Sequence, residues 1–158
     1  MFSNKFIKAV LITGLIAGAL DATAATIQYL INTGSNENPA KVFRYIAGAA
    51  FGKEYAKTKN LYAMAEWGFL FHMTISVIWT FLFFLFFRHI RAVLKNKYVA
   101  GISYGLFVWT VMNLVVVPVA FGAGINFQLK NALVATGILI VAIGLPVSLL
   151  ADRFYSKK

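Results

Sequence analysis

Four long apolar runs, at residues 6–31, 61–87, 99–121 and 132–150, constrain this chain more than any other feature. About 20 apolar residues make one helical crossing of a bilayer, and each run is near or above that length. A closed barrel would need short alternating strands, and no segment alternates. Glycines inside the runs recur at Gly-x-x-x-Gly spacing, which lets helices approach closely. Composition agrees: 60% hydrophobic residues, 13% charged residues and a mean hydropathy of +0.75 leave too few polar side chains to coat a soluble globule. The expected fold is all-α, an integral membrane four-helix up-and-down bundle forming one domain over residues 1–158.

The net charge of +10 is not gathered into a stripe that would suit nucleic acid. Lys and Arg sit at the ends of the apolar runs, where they meet anionic lipid headgroups. Lys5, Lys8, Arg88, Arg91, Lys95, Lys97, Arg153, Lys157 and Lys158 share one side. Lys41, Arg44, Lys53, Lys57, Lys59 and Lys130 share the other, so the bias is nine against six. The positive-inside rule then puts both termini in the cytoplasm. The absence of cysteine excludes disulfides and thiolate metal clusters, and no cofactor is expected.

The opening "MFSNKFIKAVLITGLIAGALDATAA" has the basic start and small-residue end of a cleaved signal. Apolar residues continue past it through Ile27, Tyr29, Leu30 and Ile31, so a retained first helix is expected. In the long first loop, Asn38 can cap, Pro39 suits a first turn and Gly52 can end a helix. An amphipathic outer helix over 39–52 follows, with Val42, Phe43, Ile46 and Ala50 on one face and Lys41 and Arg44 turned away. It would lie along the membrane surface or cover the mouth of the bundle.

Asp21 stands near the middle of the first run, where an acid costs about 2.5–3.5 kcal/mol on insertion scales. It shares a helical stripe with Gly14, Ala17, Gly18, Ala25 and Gln28, which places it on the packing face. At 1.5 Å per residue Asp21 lies about 15 Å deep, His72 of the second run about as deep, and Asn113 of the third about 12 Å deep. Glu66 and Gln28 fall nearer the outer end, and Trp109 one turn inward from Asn113. The expectation is an outward-facing polar layer in which Asp21 and His72 pair, able to bind a small solute, a proton or a cation. The plainer alternative is that these groups only hydrogen-bond across the bundle and fix helix register.

Other signals point to packing. His89 is about 25 Å from His72 along the same helix, which argues against a two-histidine haem site. Gly122-Ala-Gly124 has no strand before it and is no dinucleotide fingerprint. Gly101, Gly105, Gly137 and Gly144 read as packing notches, and Pro118 and Pro146 as bends. The aromatic run "WTFLFFLFF", residues 79–87, is expected to face lipid and the inner interface, and the inner half to be almost purely apolar.

"GLIAGALDATAA", "LFHMTIS", "YGLFVWTVMNLVVVPVA" and "GLPVSLLADR" together resemble small bacterial inner-membrane proteins of the YagU-like family. The resemblance spans nearly the whole chain, although this chain is shorter than that pattern. It implies the bacterial cytoplasmic membrane as location and carries over no catalytic residue. Transport or binding of a small solute or proton at the Asp21, His72 and Asn113 layer is the first functional expectation. The alternative is a non-enzymatic subunit, in a homo-oligomer or a larger membrane complex. Acid–base chemistry on a lipid or quinone ranks last, because Glu66 and His72 point about 120° apart on an ideal helix.

Overall fold

The computed structural model describes residues 2–122 and 128–156, which leaves out Ala123 and Gly124 of the glycine turn and Lys157 and Lys158. Four helices are long and apolar enough to cross a membrane: α1 (Asn4–Thr33), α4 (Leu61–Leu94), α5 (Lys97–Phe121) and α6 (Leu129–Ser156). Between α1 and α4 lie α2 (Ala40–Phe51) and α3 (Lys53–Thr58). The protein is therefore a multi-pass membrane helical bundle, and no strand occurs among the described residues.

Local chemistry starts these helices. Ser3 Oγ accepts from the Phe6 N–H, Asn60 Oδ1 from Tyr62 and Ala63, and Asn96 Oδ1 from Tyr98 and Val99. Asn38 Oδ1 accepts from Ala40 ahead of α2, and Gly52, at φ +93°, ends it. The spanning helices run longer than the apolar runs at their ends. Most of "RHIRAVLKNK", whose Lys and Arg mark the positive side, is helical and only Lys95–Asn96 turns. The helix persists because Ile90 and Leu94 pack on the core while Arg91 Nε donates to Asp152 Oδ1 of α6 at 3.1 Å. The short helix α3 has no counterpart in the sequence reading.

The bundle has two close seams. On the first, α1 meets α4 at Gly14 and Gly18; a Cβ on Gly14 would stand 2.8 Å from the Val77 Cα. On the second, α5 meets α6 where Gly101 and Gly105 receive a widened turn, Ile140–Gly144. A Cβ on Gly144 would run into the Gly101 carbonyl. Pro118 and Pro146 each follow such a turn. Pro146 has no N–H and its ring collides with the carbonyl four residues back, so α6 opens and the Leu145 N–H reaches the Ile140 carbonyl. Pro118 has the same effect on α5, where Met112–Val116 widens and Val117 bonds to Met112. The extra residue in the α6 turn rotates what precedes it by about 100°. Gly137 consequently leaves the packing face and has nothing near it, contrary to its expected role as a notch.

The core lies at the end that carries the termini. Phe6, Val10, Phe83, Phe84, Phe87, Tyr104, Val108 and Val147 fill it. The aromatic run thus splits instead of facing lipid throughout: Phe83, Phe84 and Phe87 are buried, and Leu82, Leu85 and Phe86 point out. Nor is this half purely apolar. Thr13, Ser76, Thr80 and Ser148 are buried. Tyr104 Oη donates to the Trp79 carbonyl at 2.6 Å, Ser148 Oγ to Lys97 at 2.7 Å and Tyr155 Oη to Phe84 at 2.7 Å. In lipid these bonds satisfy hydroxyls that have no water to turn to.

At the opposite end α2 crosses α4 at Gly68, where a Cβ would collide with the Phe43 carbonyl. Its buried residues are Ala47 and Gly48, with Phe43 partly covered, whereas Ala50 is exposed. The seated face is therefore rotated from the expected stripe, because only small residues allow backbones this close. Tyr45 stacks on Phe121 of α5 at 4.6 Å. The segment wedges between α4 and the end of α5.

Candidate functional site: a cavity and a histidine seam

Because α2 props α4 and α5 apart at this end, the bundle is hollow there. A cavity of about 940 Å³ is lined by α1 (Ala25, Gln28, Tyr29, Asn32), α2 (Lys41, Val42, Tyr45, Ile46), α5 (Trp109, Asn113, Leu114, Val117, Pro118, Phe121) and α6 (Gln128, Asn131, Ala132, Ala135). Asn113, Gln128 and Asn131 are exposed, so the space is open to the surroundings of the bundle. Ligand pockets span about 300–1,000 Å³, and this one falls at the upper end.

The lining is chemically one-sided. Five amides, on Gln28, Asn32, Asn113, Gln128 and Asn131, offer both donors and acceptors. Among the described residues no carboxylate lines the space, and the single cation there, Lys41, is bonded to Glu37 at 2.5 Å. Tyr29 Oη also donates to Glu37, at 3.3 Å. The Lys41 ammonium holds the Glu37 carboxyl below its ordinary range. Asn113 sits in the widened turn of α5 and donates to the Trp109 carbonyl at 3.0 Å, which leaves its side-chain oxygen for another partner. The Trp109 indole N–H is buried and has no acceptor among the described residues.

Asp21 and His72 do meet, with His72 Nε2 3.7 Å from Asp21 Oδ2. They line no part of the large cavity. His72 Nε2 lies 3.1 Å from the Gly18 carbonyl oxygen. A carbonyl can only accept, so Nε2 carries the proton. One turn along, Ser76 Oγ donates to the Gly14 carbonyl at 2.9 Å. Two α4 side chains thus bind two α1 carbonyls beside the glycine contacts, and Asp21 flanks the first of these bonds.

The expected three-residue layer therefore divides. Asn113 is on the cavity wall with Gln28 and Trp109, whereas Asp21 and His72 belong to the α1–α4 seam. Similar depth did not bring them together because α5 packs on α6, and the Phe43 ring of α2 stands beside His72 at 6.3 Å. Glu66 joins neither group. Ala65 and Gly68 are buried, leaving Glu66 exposed on α4 with no bonding partner among the described residues. Also among the described residues, no group of three or more His, Asp or Glu side chains could hold a metal.

Sequence reasoning missed most of the lining. Its signal was available: Gln and Asn at positions 28, 32, 113, 128 and 131 all fall at one end of their helices. It also missed Asp152 as a hub, which receives Arg91 at 3.1 Å and Lys97 at 3.4 Å. No family model, curated protein or solved structure matches the chain.

Proposed function

We propose that the chain binds a small, uncharged polar solute in the amide-lined cavity, as the binding step of transport across a bacterial cytoplasmic membrane. The single observation that carries this reading is the cavity of about 940 Å³ lined, among the described residues, by five amides and no carboxylate. Amides match hydroxyl and amide groups in either hydrogen-bonding sense, and amides covered by a bound solute but left unmatched are costly, so they select polar solutes over apolar ones. A cation is disfavoured by a wall without acids. With the termini cytoplasmic, as the nine-to-six charge bias favours, the cavity faces outward.

A thermal-shift panel of sugars, polyols and small amides on detergent-purified protein tests the reading. The expected result is stabilisation by at least one class, diminished by Asn113→Leu and by filling the floor with Ala135→Phe. Shifts indifferent to both substitutions, or no shift across the panel, would reject it.

One observation favours a second reading, a non-enzymatic membrane subunit whose polar core groups are structural. His72 and Ser76 are bonded to the Gly18 and Gly14 carbonyls, which is what register-fixing residues do. A stoichiometric partner retained in mild detergent, with no solute response, would favour it.

A further inference from the structure

A second and smaller cavity, of about 140 Å³, lies in the elbow between α2 and α3. Gly52 turns the chain, and Gly48 then lets α3 fold back until a Cβ there would stand 3.8 Å from the Ala56 Cβ. Ala47, Ala56 and Met64 close a small apolar cluster behind the elbow. Four of the seven residues lining this cavity are cations: Lys41, Arg44, Lys53 and Lys57. A solvated charge run would spread such groups apart, but here the backbone gathers them around one space and they repel one another.

The acids nearby do not fill it. Glu37 holds Lys41 and Glu54 holds Lys57, at 2.5 Å and 2.9 Å, yet neither acid lines the cavity. Arg44 and Lys53 have no acid partner among the described residues. Phe51 and Tyr55, on either side of Gly52, and Trp67 are exposed, with the Phe51 ring 6.4 Å from Tyr55 and 6.0 Å from Trp67. Such aromatic rings settle at the headgroup level of a bilayer. The space is worth several waters at about 30 Å³ each, a volume suited to a compact oxyanion.

We propose that the α2–α3 elbow binds a phosphate oxyanion, gripped by Arg44 and Lys53 and flanked by Lys41 and Lys57. Arginine supplies a planar fork that meets two phosphate oxygens at once, and lysine a point charge. The oxyanion comes either from a phospholipid headgroup at that depth or from free phosphate. Lys41 and Tyr45 border both cavities, but Arg44 and Lys53 line only the elbow, so their variants test it apart from the solute reading.

The test uses the full chain in a non-ionic detergent. Inorganic phosphate is titrated by calorimetry, and short-chain phosphatidylglycerol retention is scored by native mass spectrometry. Arg44→Gln and Lys53→Gln should each weaken binding about tenfold or more, Arg44→Lys should restore part of it, and Lys5→Gln at the far end should change nothing. Lipid retention without phosphate binding identifies a headgroup. Phosphate binding that needs the same two residues identifies the free ion, and both outcomes uphold the elbow site. Absence of binding by either probe, binding unchanged in Arg44→Gln and Lys53→Gln, or equal loss in Lys5→Gln would overturn it. The two glutamine variants change partly or fully exposed side chains, and unchanged circular dichroism verifies that they fold.

Discussion

The two ends of this bundle are built from the same four helices and solve opposite problems. At the end carrying the termini, phenylalanines interlock, and Asp152 ties α6 to Arg91 of α4 and to Lys97 of α5. At the other, α2 keeps the helices apart and amides line the resulting space. The difference lies in what each helix presents along its length. Gly14, Gly18, Gly101, Gly105 and Gly144 allow contact, the last three around the widened turn of α6, and beyond them toward the α2 end lie the widened turn of α5 and a crossing helix.

Truncation in the packed end should have the largest effect. In lipid the transfer term of a core deletion nearly vanishes, but the cavity term of about 24 cal/mol per Å³ remains. Phe84→Ala, losing about 100 Å³, is expected to cost about 2 kcal/mol in an unfolding titration. Asp152→Ala comes next, at about 1–2 kcal/mol, because it strips Arg91 of its partner; the side chains there are partly exposed, and water moderates the loss. A full-size effect of Phe84→Ala with none from Asp152→Ala would mean that aromatic packing alone closes this end.

His72→Ala and Ser76→Ala should each lower stability by about 0.6 kcal/mol, the average for interhelical bonds in a membrane. A loss several times larger for His72→Ala would give the seam histidine more than a register role. Asn113→Ala in the hollow end should stay within about 0.5 kcal/mol of the parent, since its neighbours on the cavity side are open space. Smallest is the response to pH of the exposed Glu37–Lys41 pair. Lys41 holds the Glu37 carboxyl below its ordinary value of 4.5, so its contribution is present above that value and fades as pH falls through the lowered one. Glu37→Gln should therefore flatten a slight acid-side decline in melting temperature, and an unchanged decline would assign it elsewhere.

The four crossings were legible because apolar length is a local property, and so were the Asn38 cap and the Gly14–Gly18 seam. Asp21 and His72 meeting was also legible, from helical phase and depth. That Asn113 stands apart from them was not, because depth does not say which helices are neighbours. The burial of Phe83, Phe84 and Phe87 escaped for a related reason: in a membrane both lipid-facing and core positions are apolar, so hydropathy does not separate them. Gly137 was misread because the one extra residue in the widened turn offsets the helix before it by about 100° from the helix after it.

The account rests on one end being wet and the other dry, and the absence of cysteine allows a direct measurement. Single thiols at Asn113 and Asn131 in the cavity, Ala151 in the core and Val115 on the outer face of α5 would each be challenged in membranes with a water-soluble maleimide. The account predicts rapid labelling of Asn113→Cys and Asn131→Cys, with Ala151→Cys and Val115→Cys left untouched. Labelling of Asn113→Cys no faster than that of Val115→Cys would contradict it.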